Sequence, residues 1–86
     1  MTASVDSVRL TVLGRNCCHL CTDMISGLRQ LQANVPFELE IIDIDADPEL
    51  ERRYGEKVPV LVHGGDEICH FHLDRAAVAD YLAKIC

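Results

Sequence analysis

The sequence is short of positive charge: eight Lys and Arg stand against fourteen Asp and Glu, for a net charge of -6, and the basic residues are scattered. That balance excludes a surface built to hold a nucleic-acid backbone. No apolar run approaches the roughly 20 residues of a membrane span. Met1 to Ser7 contain no Lys or Arg and no apolar stretch, so a secretory signal peptide is not expected and a cytoplasmic location is. Repeats, low-complexity segments and linkers are also missing, which makes residues 1–86 a single domain. A domain of this size buries only about 60 to 65% of its unfolded surface, so a large substrate has to be gripped on the outside. What the chain does have is a hydrophobic fraction of 49% and five cysteines. An odd cysteine count, with Cys17, Cys18 and Cys21 crowded together, fits a secreted disulfide scaffold poorly. Reactive or metal-binding cysteine in a reducing compartment fits better.

Alternation of Val8, Leu10 and Val12 with Arg9 and Thr11 predicts a first strand, and Gly14 to Cys17 a loop. From Cys18, Leu20, Met24, Leu28, Leu31 and Val35 recur at steps of three and four and predict a helix closed by Pro36. Phe37 to Ile44 reads as a second strand that buries part of both faces. Asp47-Pro48 opens a short helix that Gly55 ends. Val58 to His63 and Ile68 to Leu73 form a hairpin around Gly64-Gly65-Asp66. Asp74 caps a last helix in which Leu73 and Val78 form a hydrophobic staple and Val78, Tyr81, Leu82 and Ile85 a buried stripe. Right-handed βαβ crossover makes the first two strands parallel, and places Cys18 beyond their carboxyl ends, where ligands of such sheets bind.

In Cys18-His19-Leu20-Cys21 the two cysteines are three apart at a helix start, so they face each other within disulfide range. Unpaired backbone amides and the positive end of the helix dipole favour a thiolate at the first position. Cys18 is then the nucleophile, and Cys21, one turn in and more enclosed, resolves the mixed disulfide. Taken alone, the motif suits half of a zinc site equally well.

The strand before the cysteines and a second motif, Lys57-Val58-Pro59-Val60, bring a resemblance into view. From Val8 to Ile85 the chain resembles the thioredoxin superfamily and, within it, the compact glutaredoxin-like proteins. The stretch Tyr54-Gly55-Glu56-Lys57-Val58-Pro59-Val60-Leu61 looks especially like a divergent glutaredoxin-like subfamily. The resemblance implies an α/β thioredoxin fold, β-α-β-α-β-β-α, with a mixed four-stranded sheet and helices on both faces. It implies a thiol-disulfide oxidoreductase whose Cys18 and Cys21 cycle between dithiol and disulfide. It further implies a cis Pro59 beside the active-site sulfurs and a Val58 whose backbone meets the substrate. Arg15, three residues before Cys18, matches the basic residue that contacts the glutathione carboxylate.

Departures limit what carries over. His19-Leu20 replaces the usual Pro-Tyr between the cysteines, and Lys57 replaces the common threonine. The Gly-Gly-acid feature that receives glutathione before the last helix is missing, because Cys69-His70-Phe71-His72-Leu73 runs into Asp74. Val12 stands where thioredoxins carry a buried acid, and their tryptophan is absent. The expected partners are disulfide-containing proteins or low-molecular-weight disulfides, with the thioredoxin or glutathione system as reductant. No bound cofactor is expected, glutathione entering only as a reductant, and the chain is expected to be a monomer.

The competing reading is a zinc or iron-sulfur module built on Cys17, Cys18 and Cys21 with His19, His70 or His72. Topology weighs against it, since the fourth strand starts at the end of the sheet far from the cysteines, and only His72 comes within reach. Cys17 reads as a loop thiol without a role, Cys69 as strand filler and Cys86 as a terminal thiol. His70 and His72 share one face of the fourth strand.

Overall fold

The computed structural model describes residues 8–85. The expectations for the Met1 to Ser7 segment and for Cys86 lie outside the described residues. Its elements are β1 (Arg9–Gly14), α1 (His19–Gln32), β2 (Glu38–Asp43), a 3₁₀ turn (Ile44–Ala46), α2 (Pro48–Tyr54), β3 (Val60–His63), β4 (Asp66–His70) and α3 (Arg75–Ile85). The four strands lie in the order β2-β1-β3-β4. β1 is parallel to β2 and antiparallel to β3, and β3 is antiparallel to β4. This is the thioredoxin fold.

The alternation in β1 sorts the core into two clusters. Leu10 and Val12 face one side of the sheet with Met24 and Leu28 of α1 and Val78 and Leu82 of α3. Leu13 falls on the other side with Ile44 and Val60, against which Leu50 and Tyr54 of α2 and Val58 pack. Helices therefore cover both faces. β2 is an edge strand, and its Ile41 is 47% exposed, so the second strand buries less than its apolar content suggests.

α1 buries Cys21, Met24, Gly27 and Leu28, the spacing of one helical face. It ends at Gln32, short of the expected Val35. The last turn tightens as the Ala33 and Asn34 amides donate to the Gln30 and Leu31 carbonyls. The Gln32 side chain then turns to the Phe37 carbonyl at 2.8 Å.

α2 begins as its sequence dictates. Asp47 Oδ1 accepts from the Glu49 amide at 2.9 Å and the Leu50 amide at 3.4 Å, with Pro48 in the first turn. Replacing Asp47 by Ala should cost about 1 kcal/mol in urea denaturation, and Asp47→Ser clearly less. An equal loss in both variants would show that the cap is not the source.

The hairpin differs most from its reading. β4 starts at Asp66 and stops at His70 rather than running from Ile68 to Leu73. Gly64 at φ +63° sits in a two-residue loop closed by the His63–Asp66 pair, which moves Asp66 into the strand. A register shift between Leu61 and Val62 then advances the pairing. Phe71, at φ +65°, breaks the strand, and its amide donates to the Pro59 carbonyl at 2.8 Å. Asp74 Oδ1 caps α3 by accepting from the Ala77 amide at 3.0 Å. Val78 and Leu82 are buried, but Ile85 is 40% exposed and lies outside the core cluster, so the stripe ends at Leu82. Among the described residues no helix is long and apolar enough to cross a membrane.

Candidate active site

The loop after β1 delivers the cysteines to the start of α1. Cys17 adopts φ +59°, a left-handed conformation that turns the chain out of the sheet. Cys18 follows in extended geometry as the N-cap of α1. Its Sγ accepts from the Cys21 amide at 3.2 Å, and its carbonyl accepts from the Thr22 amide at 3.1 Å. The first sulfur thus occupies the place of a capping oxygen, where free helix amides and the helix dipole stabilise negative charge. Cys21 sits one turn in and is only 3% exposed, while Cys18 is half-buried. The two are joined by a disulfide, with Cα atoms 5.2 Å apart.

Gly14 ends β1 directly beneath this pair. A Cβ at Gly14 would lie 3.0 Å from Cys21 Sγ, tighter than an ordinary contact. Glycine here leaves room for the inner sulfur.

Val58 and Pro59 arrive at the same end of the sheet, because Val60 pairs with Leu13, the residue before Gly14. The Val58–Pro59 peptide is cis, Pro59 is buried, and Val58 packs against the second cluster. Arg15 is held by acceptors from three later segments. Its guanidinium donates to Asp45 at 2.7 Å, Glu51 at 3.0 Å and the Gly55 carbonyl at 3.1 Å. These bonds, that to Glu51 foremost, push its pKa up. They also explain Gly55. This residue ends α2 at φ -54° rather than in the left-handed region, and a Cβ there would lie 2.5 Å from the Glu51 carbonyl and 2.9 Å from Arg15 Nη2. Close approach, not backbone freedom, requires the glycine.

The residue before Val58 is anchored as well. Lys57 donates to Glu67 Oε1 at 2.5 Å, and His70 Nδ1 lies 2.7 Å from Glu67 Oε2. The Lys57 hydrogen bond is the main cause that holds the Glu67 carboxyl below the usual glutamate range. A depressed acid pKa gives a stabilisation that is complete above the unfolded-state value and lost as pH falls through the folded one. An NMR titration should therefore find Glu67 below ordinary glutamates, and Lys57→Met should move it up. No change in Lys57→Met would remove Lys57 as the cause.

The remaining residues of interest lie apart from the sulfurs or point elsewhere. Exposed His19 runs along α1 toward Asp23 at 3.9 Å, and His70 is occupied with Glu67. Among the described residues no group of three or more His, Cys, Asp or Glu side chains is placed to hold a metal ion. Cys17 is an exposed free thiol, and burial pushes the half-buried Cys69 thiol up. Sequence reasoning passed over Gly14, and over Asp43, which lines one cavity with Gly14 and Cys21. Only the β1–β2 register places them there.

A family model described as Glutaredoxin-like domain (DUF836) matches residues 9–83. Among solved structures, the chain is similar to protein Ne2328 from Nitrosomonas europaea, at 43% identity and TM-score 0.81, covering 94% of this chain and 98% of that one. It is also similar to protein XcR50 from X. campestris, at 34% identity and TM-score 0.67, covering 87% and 96%. The germline-specific thioredoxin Deadhead from Drosophila melanogaster shares the fold at 22% identity and TM-score 0.59, covering 98% and 86%. No curated protein matches the chain.

Proposed function

From the premise that the chain belongs to the glutaredoxin-like family, whose thioredoxin fold supports a thiol-redox role in general, we propose that it is a thiol-disulfide oxidoreductase that reduces disulfides through Cys18 and Cys21. The observation that carries this reading is the Cys18 sulfur at the N-cap of α1, accepting the Cys21 amide while bonded to a buried Cys21. Reduced, Cys18 is a thiolate stabilised by that amide and by the helix terminus. It attacks one sulfur of a substrate disulfide, and the second sulfur leaves as a thiolate that takes a proton from solvent. Cys21 then attacks Cys18, closing the intramolecular disulfide and releasing the substrate reduced.

Val58 presents its backbone to the substrate beside Pro59. Arg15, the residue that the resemblance assigns to a glutathione carboxylate, fixes the loop that carries the cysteines through Asp45, Glu51 and the Gly55 carbonyl, and would have to exchange one of these acceptors to meet an anionic reductant. Substrates are protein or low-molecular-weight disulfides, and the glutathione or thioredoxin system of the cytoplasm returns the dithiol. The test is equilibration of the chain in glutathione buffers of graded potential, with alkylation and mass spectrometry. Reversible two-electron conversion confined to Cys18 and Cys21 is expected, together with reduction of insulin disulfides at substoichiometric chain when dithiothreitol is supplied. If no Cys18–Cys21 disulfide forms at any potential in the series, the proposal fails.

A further inference from the structure

The closing step asks more of Cys21 than of Cys18. A buried thiol resists ionisation, and Cys21 is 3% exposed, yet it has to lose its proton to attack. Gly14 and Asp43 are register partners in the parallel β1–β2 pair, so their side-chain directions lie on one face of the sheet, about 4.8 Å apart. Gly14 fixes which face that is, because a Cβ built on it points at Cys21 Sγ. Asp43 therefore projects on the α1 side of the sheet, the side on which Cys21 lies. Both residues line one cavity of about 290 Å³, shared with Asn16 and Thr22. A water takes up about 30 Å³, so the cavity that Asp43 and Cys21 both line has room for water.

The carboxylate is held in place. Its Oδ1 accepts from the Asp45 amide at 2.9 Å, and its Oδ2 from Asn16 Nδ2 at 3.4 Å. The other titratable or charged groups around the cavity are Arg15 and Cys17 from the loop and Cys18 on the helix cap. Arg15 stays protonated and cannot accept, Cys17 is itself a thiol, and Cys18 is the atom attacked.

We propose that Asp43 is the proton acceptor for Cys21 in the resolving step, an assignment that rests on the function proposed above. In the mixed disulfide, the Cys21 S–H proton passes to the Asp43 carboxylate through a cavity water. The Cys21 sulfur attacks Cys18 Sγ, the Cys18–Cys21 bond forms, and the bond from Cys18 to the substrate sulfur breaks. The departing thiolate takes up the proton. Two electrons pass from the dithiol to the substrate, and no other reactant is needed.

The test mixes the reduced chain with bis(2-hydroxyethyl) disulfide, quenches in acid and follows the mixed disulfide by mass spectrometry. Its formation reports Cys18 and serves as the internal reference; its decay reports Cys21. Asp43→Asn keeps an acceptor for the Asp45 amide and should fold. Its decay is expected to be at least about tenfold slower than the parent's, general bases being worth about 10²- to 10⁴-fold. Decay in the variant should also rise about tenfold per pH unit between about pH 6 and 8, where the parent is flatter, since hydroxide replaces the lost base. A merely structural role would not change that slope. Equal or faster decay with an unchanged slope would overturn the assignment while leaving the oxidoreductase reading intact. Failure of the parent to form either a Cys18 adduct or the Cys18–Cys21 disulfide would overturn both.

Discussion

Serine in place of Cys18 is expected to lower disulfide reduction by about 10³-fold or more, the scale on which loss of a nucleophile acts, while leaving the fold intact. The two outcomes separate because of where the residue sits. Cys18 is the N-cap of α1, and its sulfur already accepts the Cys21 amide as a capping group does. Serine is a preferred cap, so Cys18→Ser should be at least as stable as the reduced parent in urea. The comparison has to be made under reduction, because the oxidised parent carries a cross-link that the variant cannot form. The hydroxyl, which does not ionise near neutral pH, cannot replace a thiolate. Activity within tenfold of the parent would transfer the nucleophile to another thiol, with exposed Cys17 next in line.

The second large effect is on stability. Leu61 is fully buried at the centre of the sheet, between Val12 of β1 and Cys69 of β4 in register. Leu61→Ala removes aliphatic volume from a site whose neighbours are fixed by backbone pairing on both sides. Collapse into the gap is therefore limited, and the cost should be about 2 to 5 kcal/mol. A chain of this length has about 4 to 13 kcal/mol in total, so the variant should be partly unfolded at physiological temperature. Urea denaturation measures it, and Ile85→Ala is the control. Ile85 falls on the apolar period of α3 yet is 40% exposed, and its truncation should stay within about 0.5 kcal/mol. Similar losses in the two variants would contradict the packing described here.

That contrast shows where the sequence was readable. Local signals held wherever the causes were local. The three- and four-residue spacing from Leu20 to Leu28 and the cap and proline at Asp47 and Pro48 each encode their element through contacts within a few residues, and Gly64 and Gly65 marked a turn although Asp66 belongs to the strand. The cysteine pair belongs to the same class, since a helix start is all that it needs. Elements fixed by distant partners were not readable. The end of β4 is set by the shift opposite Leu61 and by Phe71, a residue type that does not announce a left-handed backbone. Arg15 is engaged by Asp45, Glu51 and Gly55, residues at least 30 positions away. Gly14 and Asp43 meet beside Cys21 only because β1 and β2 pair as they do. Ile85 was placed in a stripe by its period, but the core it would face ends at Leu82.

Division of labour between the two sulfurs is the central claim, and trapping measures it most directly. Reduced Cys21→Ser and reduced Cys18→Ser chains are each mixed with bis(2-hydroxyethyl) disulfide, quenched in acid and mapped by peptide mass spectrometry. The cap position of Cys18 and the burial of Cys21 predict a persistent adduct on Cys18 in Cys21→Ser and none on Cys21 in Cys18→Ser. An adduct accumulating on Cys21, or on Cys17 while Cys18 stays free, would contradict it.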